Sequence, residues 1–425
     1  MLCRLGIQLD RSARSPPPES LTNPGSSAEW AVEINLSLLS ALPETIDLNL
    51  PDRNVTLIQR NRGESKGPGA FVWSGHGDEC TAVFTFYPNQ ELGTISCVDG
   101  NYQIRTSPSG TRLFRQLPSS SPPTGRQDVA VVNGASQEST QSVSFPEAPY
   151  SPLQDNQIEV LILYTPAVTQ AVGSANVQAE MQQLMNVTQQ AMINSSSAQT
   201  GFPLTDVVLV HAQEVPRGET ESMTDDLRYL QGLDGTSLPV DLRDQWGADI
   251  VMLVRESEWN TNCELAYTPG FGGAPQPADF EDYAVGVTVR DCSFDDFPFQ
   301  HEFAHILGAN HNYEDNDNDE STMLEDWALA YWNNLRRAGK GPIGYRTLLS
   351  NKVTQPVFPR FEICEGECTQ ILHYANAEVD VKLEDRFVPT GLTDVYENAR
   401  TMALVAPFAW TWKPSVDRIF ANGFD

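Results

Sequence analysis

The stretch PFQHEFAHILGANHN, residues 298–312, decides how the rest of the chain is interpreted. His301 and His305 lie four positions apart, so on a helix both side chains project from one face and can reach a single ion. Gly308 can adopt the positive φ that ends a helix, after which His311 can return as a third ligand. Three neutral imidazoles leave one position open, as in catalytic rather than structural zinc sites. The stretch therefore predicts a zinc site.

Glu302, which follows the first predicted ligand, is the candidate general base. A carboxylate beside the ion can take a proton from an attacking water and deliver it to a leaving amine, so no covalent intermediate is required. The alternative is a helix whose histidines lie on a polar face without a metal. The chain has only six histidines, and three of them fall at these spacings, so we favour zinc-dependent hydrolysis.

Upstream of this stretch, apolar strands and helices alternate. IEVLILYTP (158–166) is a continuous apolar run, as expected of a strand buried on both faces. Residues 176–193 have the apolar spacing of a helix, and VDLRDQWGA (240–248) predicts a shorter one. Further strands are predicted at TDVVLVHAQEV (205–215), DIVMLVRE (249–256) and DYAVGVTVRDC (282–292). This order predicts an α/β fold with a mostly parallel, twisted sheet and an active-site helix.

The N-terminal part has a different composition. Residues 1–28 are rich in Pro, Ser and Arg and predict a disordered leader. Short apolar alternations separated by turn residues follow in 29–116, which predicts a small β-rich domain. Residues 117–156 have the composition of an exposed linker. The catalytic domain is then expected at 157–412, with a short tail at 413–425.

Composition and charge exclude several function classes. Hydrophobic residues make up 40% of the 425, which is enough for a buried core. The sequence contains no apolar run of about 18 residues, so no membrane-spanning helix is predicted. The net charge of -29 argues against a nucleic-acid partner, because phosphate binding needs clustered Lys and Arg. The sequence does not predict the oligomeric state.

The seven cysteines form three local pairs and one that stands alone. The pairs are Cys80 with Cys97, Cys263 with Cys292, and Cys364 with Cys368, and Cys3 is the seventh. Local pairs predict disulfides and hence an oxidising compartment, although the opening residues lack the apolar stretch of a signal peptide. Secretion is thus inferred from the cysteines and the predicted function. A free thiolate at Cys80 or Cys97 that ligates zinc is the alternative to their disulfide.

The segment HEFAHILGANH (301–311) is similar to the zinc-binding motif of the metzincin clan of metallopeptidases. Within that clan the chain resembles the bacterial peptidyl-Asp metalloendopeptidases, relatives of the reprolysins. The similarity extends to other segments of the C-terminal part, IEVLILYTPA (158–167), LRDQWGADIVMLV (242–254), GYRTLLS (344–350) and PTGLTDVYENARTM (389–402). In the N-terminal part it includes FVWSGHGDECTAVF (71–84) and GTISCVDGNYQI (93–104).

The resemblance implies a metzincin catalytic domain in which His301, His305 and His311 bind zinc and Glu302 acts as base. It implies that the β-rich N-terminal unit is a propeptide that inhibits the enzyme and is removed, so the chain is expected to be a secreted zymogen. Protein or peptide substrates are implied, cut on the amino side of acidic residues. That preference needs a cationic pocket, to which the sequence assigns no Arg or Lys.

Three positions depart from the pattern of the family. Leu349, in GYRTLLS, stands where a methionine normally packs beneath the zinc site without ligating it. An apolar leucine is a tolerable substitute there. Asn312 replaces the Asp common after the third ligand, and Ala304 replaces a Gly before the second, which favours the helix. None of these changes removes a predicted ligand or the base.

Two other functions and one other cofactor stay open. A binding protein built on an inactive protease domain would have lost a ligand or the base, and all four are present. A zinc hydrolase of non-peptide amides could use the same four residues, so only a panel of substrates distinguishes it from a peptidase. The run EDNDNDE (314–320) offers oxygen ligands for calcium but lacks the spacing of a known calcium loop, so a solvated loop is the alternative.

Overall fold

The structure is a computed structural model, and two large sheets organise the residues that it describes. These are residues 8–9, 26–33, 43–50, 54–64, 71–87, 90–98, 100–107, 110–116, 129–132, 157–197, 206–257, 263–290, 292, 297–312, 324–337, 340–350 and 368–416. The acidic run 314–320 and most of the expected linker, 117–156, lie outside them. Within the described part, no helix is long and apolar enough to cross a membrane.

The N-terminal part forms a nine-stranded antiparallel sheet. Its strands are β1 Gln8–Leu9, β2 Ser26–Glu33, β3 Thr45–Asn49, β4 Asn54–Glu64, β5 Phe71–His76, β6 Cys80–Tyr87, β7 Gln90–Cys97, β8 Gly100–Ser107 and β9 Gly110–Gln116. Their order is β1-β2-β9-β8-β7-β6-β5-β4-β3, so neighbours from β3 to β9 are consecutive in the chain. Such pairing needs only short connections, which the turn residues between the apolar runs supply.

Two strands include residues of the expected leader, 1–28. Residues Gln8–Leu9 form β1, and β2 already begins at Ser26. Strand β1 pairs with the end of β2, where Gln8 lies opposite Glu33. Pairing between backbones satisfies N–H and C=O groups without apolar side chains, so composition alone did not indicate these strands.

A second, five-stranded sheet lies at the centre of the C-terminal part. It contains β10 Gln157–Tyr164, β11 Asp206–Glu214, β12 Ile250–Arg255, β13 Glu264–Ala266 and β14 Val285–Val289, in the order β11-β10-β12-β14-β13. The first three pairs are parallel, whereas the edge strand β13 is antiparallel to β14. Every residue of β12 and β14 is buried, as expected of strands covered on both faces.

In the part of the chain that the structure describes, six α-helices accompany this sheet, which confirms the predicted α/β class. They are α1 Pro166–Val172, α2 Val177–Asn194, α3 Met223–Leu230, α4 Leu238–Trp246, α5 Pro298–Ile306 and α6 Asn398–Ala409. The remaining described strands are β15 Trp332–Arg337, β16 Lys340–Arg346, β17 Cys368–Gln370, β18 Asp380–Leu383 and β19 Arg386–Pro389. Apolar side chains of the central sheet, α2, α5 and α6 share one core.

The chain beyond α6 packs on the same unit for a few more residues. Lys413 forms ion pairs of 2.8 Å with Asp244 and 2.5 Å with Glu281. Gly247 ends α4 with φ of 61°, and a Cβ there would approach the backbone oxygen of Pro414 to 2.7 Å. Contacts with the catalytic unit thus continue past residue 413, where the tail is expected to begin, and the boundary itself stays a prediction.

Two of the predicted disulfides are present. Cys80 is bonded to Cys97, which joins β6 to β7, and Cys263 is bonded to Cys292, which ties the start of β13 to the chain after β14. Cys368 is also disulfide-bonded, but Cys3 and Cys364 lie outside the described residues, so its predicted pairing stays a prediction. Because Cys80 and Cys97 are bonded to each other, neither offers a free thiolate to a metal.

Candidate metal centre

Helix α5 presents the predicted zinc ligands, and its start is fixed by local sequence. Phe297 precedes it in the left-handed region with φ of 54°, and Pro298 occupies the first turn, where its missing N–H is not needed. All nine residues of the helix are buried. The histidines are thus held inside the protein, on a helix that is packed all round.

The helix ends in a Schellman motif that turns the chain back. Gly308 has φ of 84°, its N–H donates to the carbonyl of His305, and the N–H of Ala309 donates to the carbonyl of Ala304. A Cβ on Gly308 would lie 2.5 Å from a methyl group of Leu324, so only glycine fits.

Backbone hydrogen bonds to Asn310 then bring His311 to the helix. The N–H of Asn310 donates to Ala328 at 2.7 Å, and its carbonyl accepts from the N–H of Ala330 at 3.1 Å. The same carbonyl accepts from the side chain of Asn398, at the start of α6. Two separate segments, residues 328–330 and the start of α6, therefore fix the position of the third histidine.

The three imidazoles converge on one point. The Nε2 atom of His301 lies 3.0 Å from that of His305 and 3.1 Å from that of His311, and the last two are 3.1 Å apart. All three side chains are buried. The Nδ1 atom of His305 lies 2.8 Å from the carbonyl of Ala309, which can only accept, so this nitrogen donates. The Nε2 atom of neutral His305 therefore directs a lone pair at its two neighbours.

This arrangement fits a metal ion. Three imidazole nitrogens in mutual contact cannot all be paired as donor and acceptor, whereas one cation can accept a lone pair from each. The outward Nδ1 hydrogen bond of His305 is the kind of second contact that fixes the tautomer of a ligating histidine. Among the described residues, the only other cluster of this kind shares His301 and adds Glu302 and Glu264.

Two buried carboxylates flank the histidines. Glu302, the predicted base, lies close to His301 and to Glu264. One carboxylate oxygen of each glutamate and one ring nitrogen of His301 lie within 4.8 Å of one another. Sequence reasoning missed Glu264, which lies on the edge strand β13. The available signal was an acidic residue inside the short apolar segment CELAY, which begins at a disulfide cysteine.

The backbone of α5 is anchored beside the first histidine. The side chain of Gln300 donates to the carbonyl of Leu184 at 3.0 Å and to the hydroxyl of Thr188 at 3.1 Å, both on α2. The hydroxyl of Tyr374 donates to the carbonyl of Gln300 at 3.1 Å. Burial of this phenol raises its pKa, so it stays a donor. Gln300 was not singled out from the sequence.

A short piece of the expected linker lies on the strand that borders this centre. Val129 pairs in parallel with Ala266 of β13, and the N–H of Ala130 donates to the Ala266 carbonyl at 2.7 Å. The N–H of Val132 donates to the carbonyl of Gly272 at 2.8 Å. Residues 129–132 therefore extend the sheet at the edge that carries Glu264.

Leu349 and the three remaining histidines of the chain lie elsewhere. Leu349 is fully buried in a turn with φ of 67°, in the same core as α5. His76 ends β5 and lines a cavity together with His373. His211 lies on β11, where its ring stacks on Trp246 at 4.0 Å, and burial lowers its pKa. The structure does not bring these three histidines into either cluster of the metal centre.

Comparisons with known proteins agree with the geometry. Residues 154–345 match the model of Metallo-peptidase family M12, a segment that includes β10 to β14 and α5. A peptidyl-Asp metalloendopeptidase of Pseudomonas aeruginosa is 26% identical over 163 residues, which cover 37% of this chain and 26% of that protein. The alignment thus spans about a quarter of this relative. These matches confirm the predicted resemblance to metallopeptidases of this kind.

Two solved structures show partial likeness. Metalloproteinase-II from Bacteroides fragilis is 12% identical with a TM-score of 0.40, covering 68% of this chain and 87% of that one. A structure of a chaperone-substrate complex is 13% identical with a TM-score of 0.41, covering 76% of this chain and 44% of that one.

Proposed function

We propose that this chain, whose residues 154–345 match a metallopeptidase family, is a zinc metalloendopeptidase that hydrolyses internal peptide bonds. His301, His305 and His311 are the proposed ligands, and Glu302 is the proposed general base. The observation that supports this most is the mutual contact of three buried Nε2 atoms, at 3.0 to 3.1 Å, inside the matched segment.

The chemistry follows from the positions of the side chains. A bound zinc ion would supply Lewis acidity, which polarises the scissile carbonyl and makes water easier to deprotonate. Glu302, buried beside His301, takes the proton of the attacking water and transfers it to the leaving amine. His305 keeps the required tautomer because its Nδ1 donates to Ala309.

We also propose that the protein is made as a zymogen. An extended segment paired with an exposed strand edge competes with any other extended peptide for the same backbone groups. Residues 129–132 already occupy the edge of β13, close to the metal centre. A peptide substrate laid along β13 would have to displace them, so these residues are the proposed inhibitory segment.

Secretion is proposed on the basis of the disulfides. Cys80–Cys97 and Cys263–Cys292 are both formed, and such bonds persist in oxidising surroundings. The preference for acidic residues, implied by resemblance alone, stays a prediction. Calcium has no support from the described residues.

The test is hydrolysis of unstructured casein by the intact chain and by protein cut within residues 133–156. Each is assayed with and without a zinc chelator, beside Glu302→Ala, and zinc content is measured. We expect cutting to raise activity, the chelator to abolish it, and the variant to lose about 10²- to 10⁴-fold while it still binds zinc. Folded, zinc-loaded, cut protein that cleaves no peptide bond would contradict the proposal and favour a binding protein or a hydrolase of other amides.

A further inference from the structure

We propose that the nine-stranded sheet is a lasting partner of the catalytic unit, which stays bound when the chain is cut on both sides of residues 129–132. The sheet then supports the metal centre, and only the segment 129–132 inhibits it. This inference refines the proposed zymogen and rests on it. It differs from the expectation that the whole N-terminal unit is a removable inhibitor.

The two faces of the sheet have different partners. In β6, the residues Cys80, Ala82, Phe84 and Phe86 belong to the core of the sheet itself. The alternate residues Thr81, Val83 and Thr85 project from the other face. They are nevertheless 5%, 0% and 0% exposed. Two threonines on a fully buried face indicate a polar surface built to receive another part of the chain.

Helix α2 packs against this face and binds it through the side chain of Gln183. Its amide nitrogen donates to the carbonyl of Val83 at 3.3 Å and to the hydroxyl of Thr94 at 3.1 Å. Its oxygen accepts from the hydroxyl of Thr85, which in turn accepts from the side chain of Asn186 at 2.7 Å. Donors and acceptors are matched, as in buried polar networks that fix one arrangement.

A second contact joins the sheet to residues 370–372. The side chain of Asn101 donates to the carbonyl of Gln370 at 3.0 Å, and the N–H of Leu372 donates to the hydroxyl of Ser96 at 3.1 Å. Asn194, the last residue of α2, donates to both Thr81 and the Leu372 carbonyl. The sheet, α2 and this segment therefore meet at one junction.

The junction leads directly to the metal centre. The carbonyl of His373 accepts from the N–H of Leu348 at 2.8 Å, and Tyr374 holds the carbonyl of Gln300 on α5. Gln300 in turn binds α2 at Leu184, one residue beyond Gln183. Without the sheet, several buried polar groups of α2 and residues 370–372 would lose their partners.

The inhibitory segment uses a different surface. Residues 129–132 pair with β13, at the edge of the central sheet opposite to β11. The N-terminal sheet instead binds through α2 and residues 370–372. Residues 129–132 can therefore be released without breaking any of these hydrogen bonds between the sheet and α2 or residues 370–372.

The experiment uses the full chain with one engineered protease site in residues 117–128 and a second in 133–156. After both cuts, size-exclusion chromatography and mass spectrometry follow the two large fragments. We expect them to co-elute as a 1:1 complex. Gln183→Ala should weaken their association by about 10- to 100-fold, because it leaves Thr85 and Thr94 without this partner.

Gln178→Ala is the matched control, since the side chain of this exposed residue of α2 bonds Ala212 and Tyr164 of its own unit and, among the described residues, none of the sheet. It should leave the association unchanged. If Gln183→Ala does not fold, Asn101→Ala tests the second contact in the same way. Fragments that separate while both stay folded would overturn the inference. Association of the fragments is measured without substrate, so its result does not depend on activity. The activity assay alone tests the proposed zymogen.

Discussion

The metal centre and the junction between the sheet and α2 are both buried and polar, but they differ in how their groups are paired. At the centre, three Nε2 atoms face one another at 3.0 to 3.1 Å, an arrangement that one bound cation would satisfy. At the junction, both the amide nitrogen and the oxygen of Gln183 meet complementary groups. Buried polar groups that satisfy one another stabilise a fold, whereas groups that converge with like polarity indicate a ligand.

The largest expected effect breaks the metal centre itself. His311→Ala removes one of three proposed ligands, so zinc affinity should fall by more than the roughly 10- to 100-fold that loss of an outer hydrogen-bond partner costs. Competition titration against a zinc indicator measures it. His211→Ala, on β11 against Trp246, is the control. Equal affinity of His311→Ala and wild type would refute the proposed ligand set.

A second change acts on the connection between the two regions. Gln300→Leu deletes the donors to Leu184 and Thr188 on α2 and leaves these acceptors without that bond. The free energy of unfolding should fall by about 1–3 kcal/mol, with the three ligands still present. Urea denaturation of the metal-free proteins measures this loss. An unchanged midpoint would show that α5 does not depend on α2.

Acid should weaken the junction through His373. Burial lowers the pKa of this imidazole to about 3, with nearby His76 adding to the effect. His373 lines a cavity of about 430 Å³ together with Asp78, Glu378 and Lys382. Because the unfolded chain binds the proton near pH 6.5 and the folded one only near pH 3, stability is full above 6.5 and declines as the pH falls between these values.

Urea midpoints at pH 7.5 and 4.5, measured with excess chelator so that zinc loss does not contribute, test this expectation. His373→Asn, which cannot titrate there, should lose less stability in acid than the wild type. An equal loss in both proteins would assign the acid sensitivity to other groups.

The smallest expected effect concerns Leu349. Leu349→Met is close to volume-conserving in a fully buried turn, so stability should change by less than about 1.5 kcal/mol. Casein hydrolysis and thermal unfolding measure it. A large gain in activity would show that the leucine, rather than the ligands, limits catalysis.

Most of the metal centre could be predicted from the sequence because its members are close in the chain. The three histidines and Glu302 fall within residues 301–311, and helix periodicity together with one glycine fixes their relation. Glu264 could not be placed, because it reaches the site only through the pairing of β13 with β14. Gln300 was missed for a related reason, since its partners lie more than a hundred positions earlier.

The sequence by itself determined the alternation of strands and helices, the two local disulfides and the histidine cluster, since each depends on periodicity or short spacing. Tertiary structure alone decided that residues 129–132 lie on β13 and that the face of β6 with Thr81 and Thr85 is covered by α2. Those contacts join parts of the chain far apart in sequence. Their side chains are ordinary threonines, asparagines and glutamines, which show no pattern until folding brings donors to acceptors.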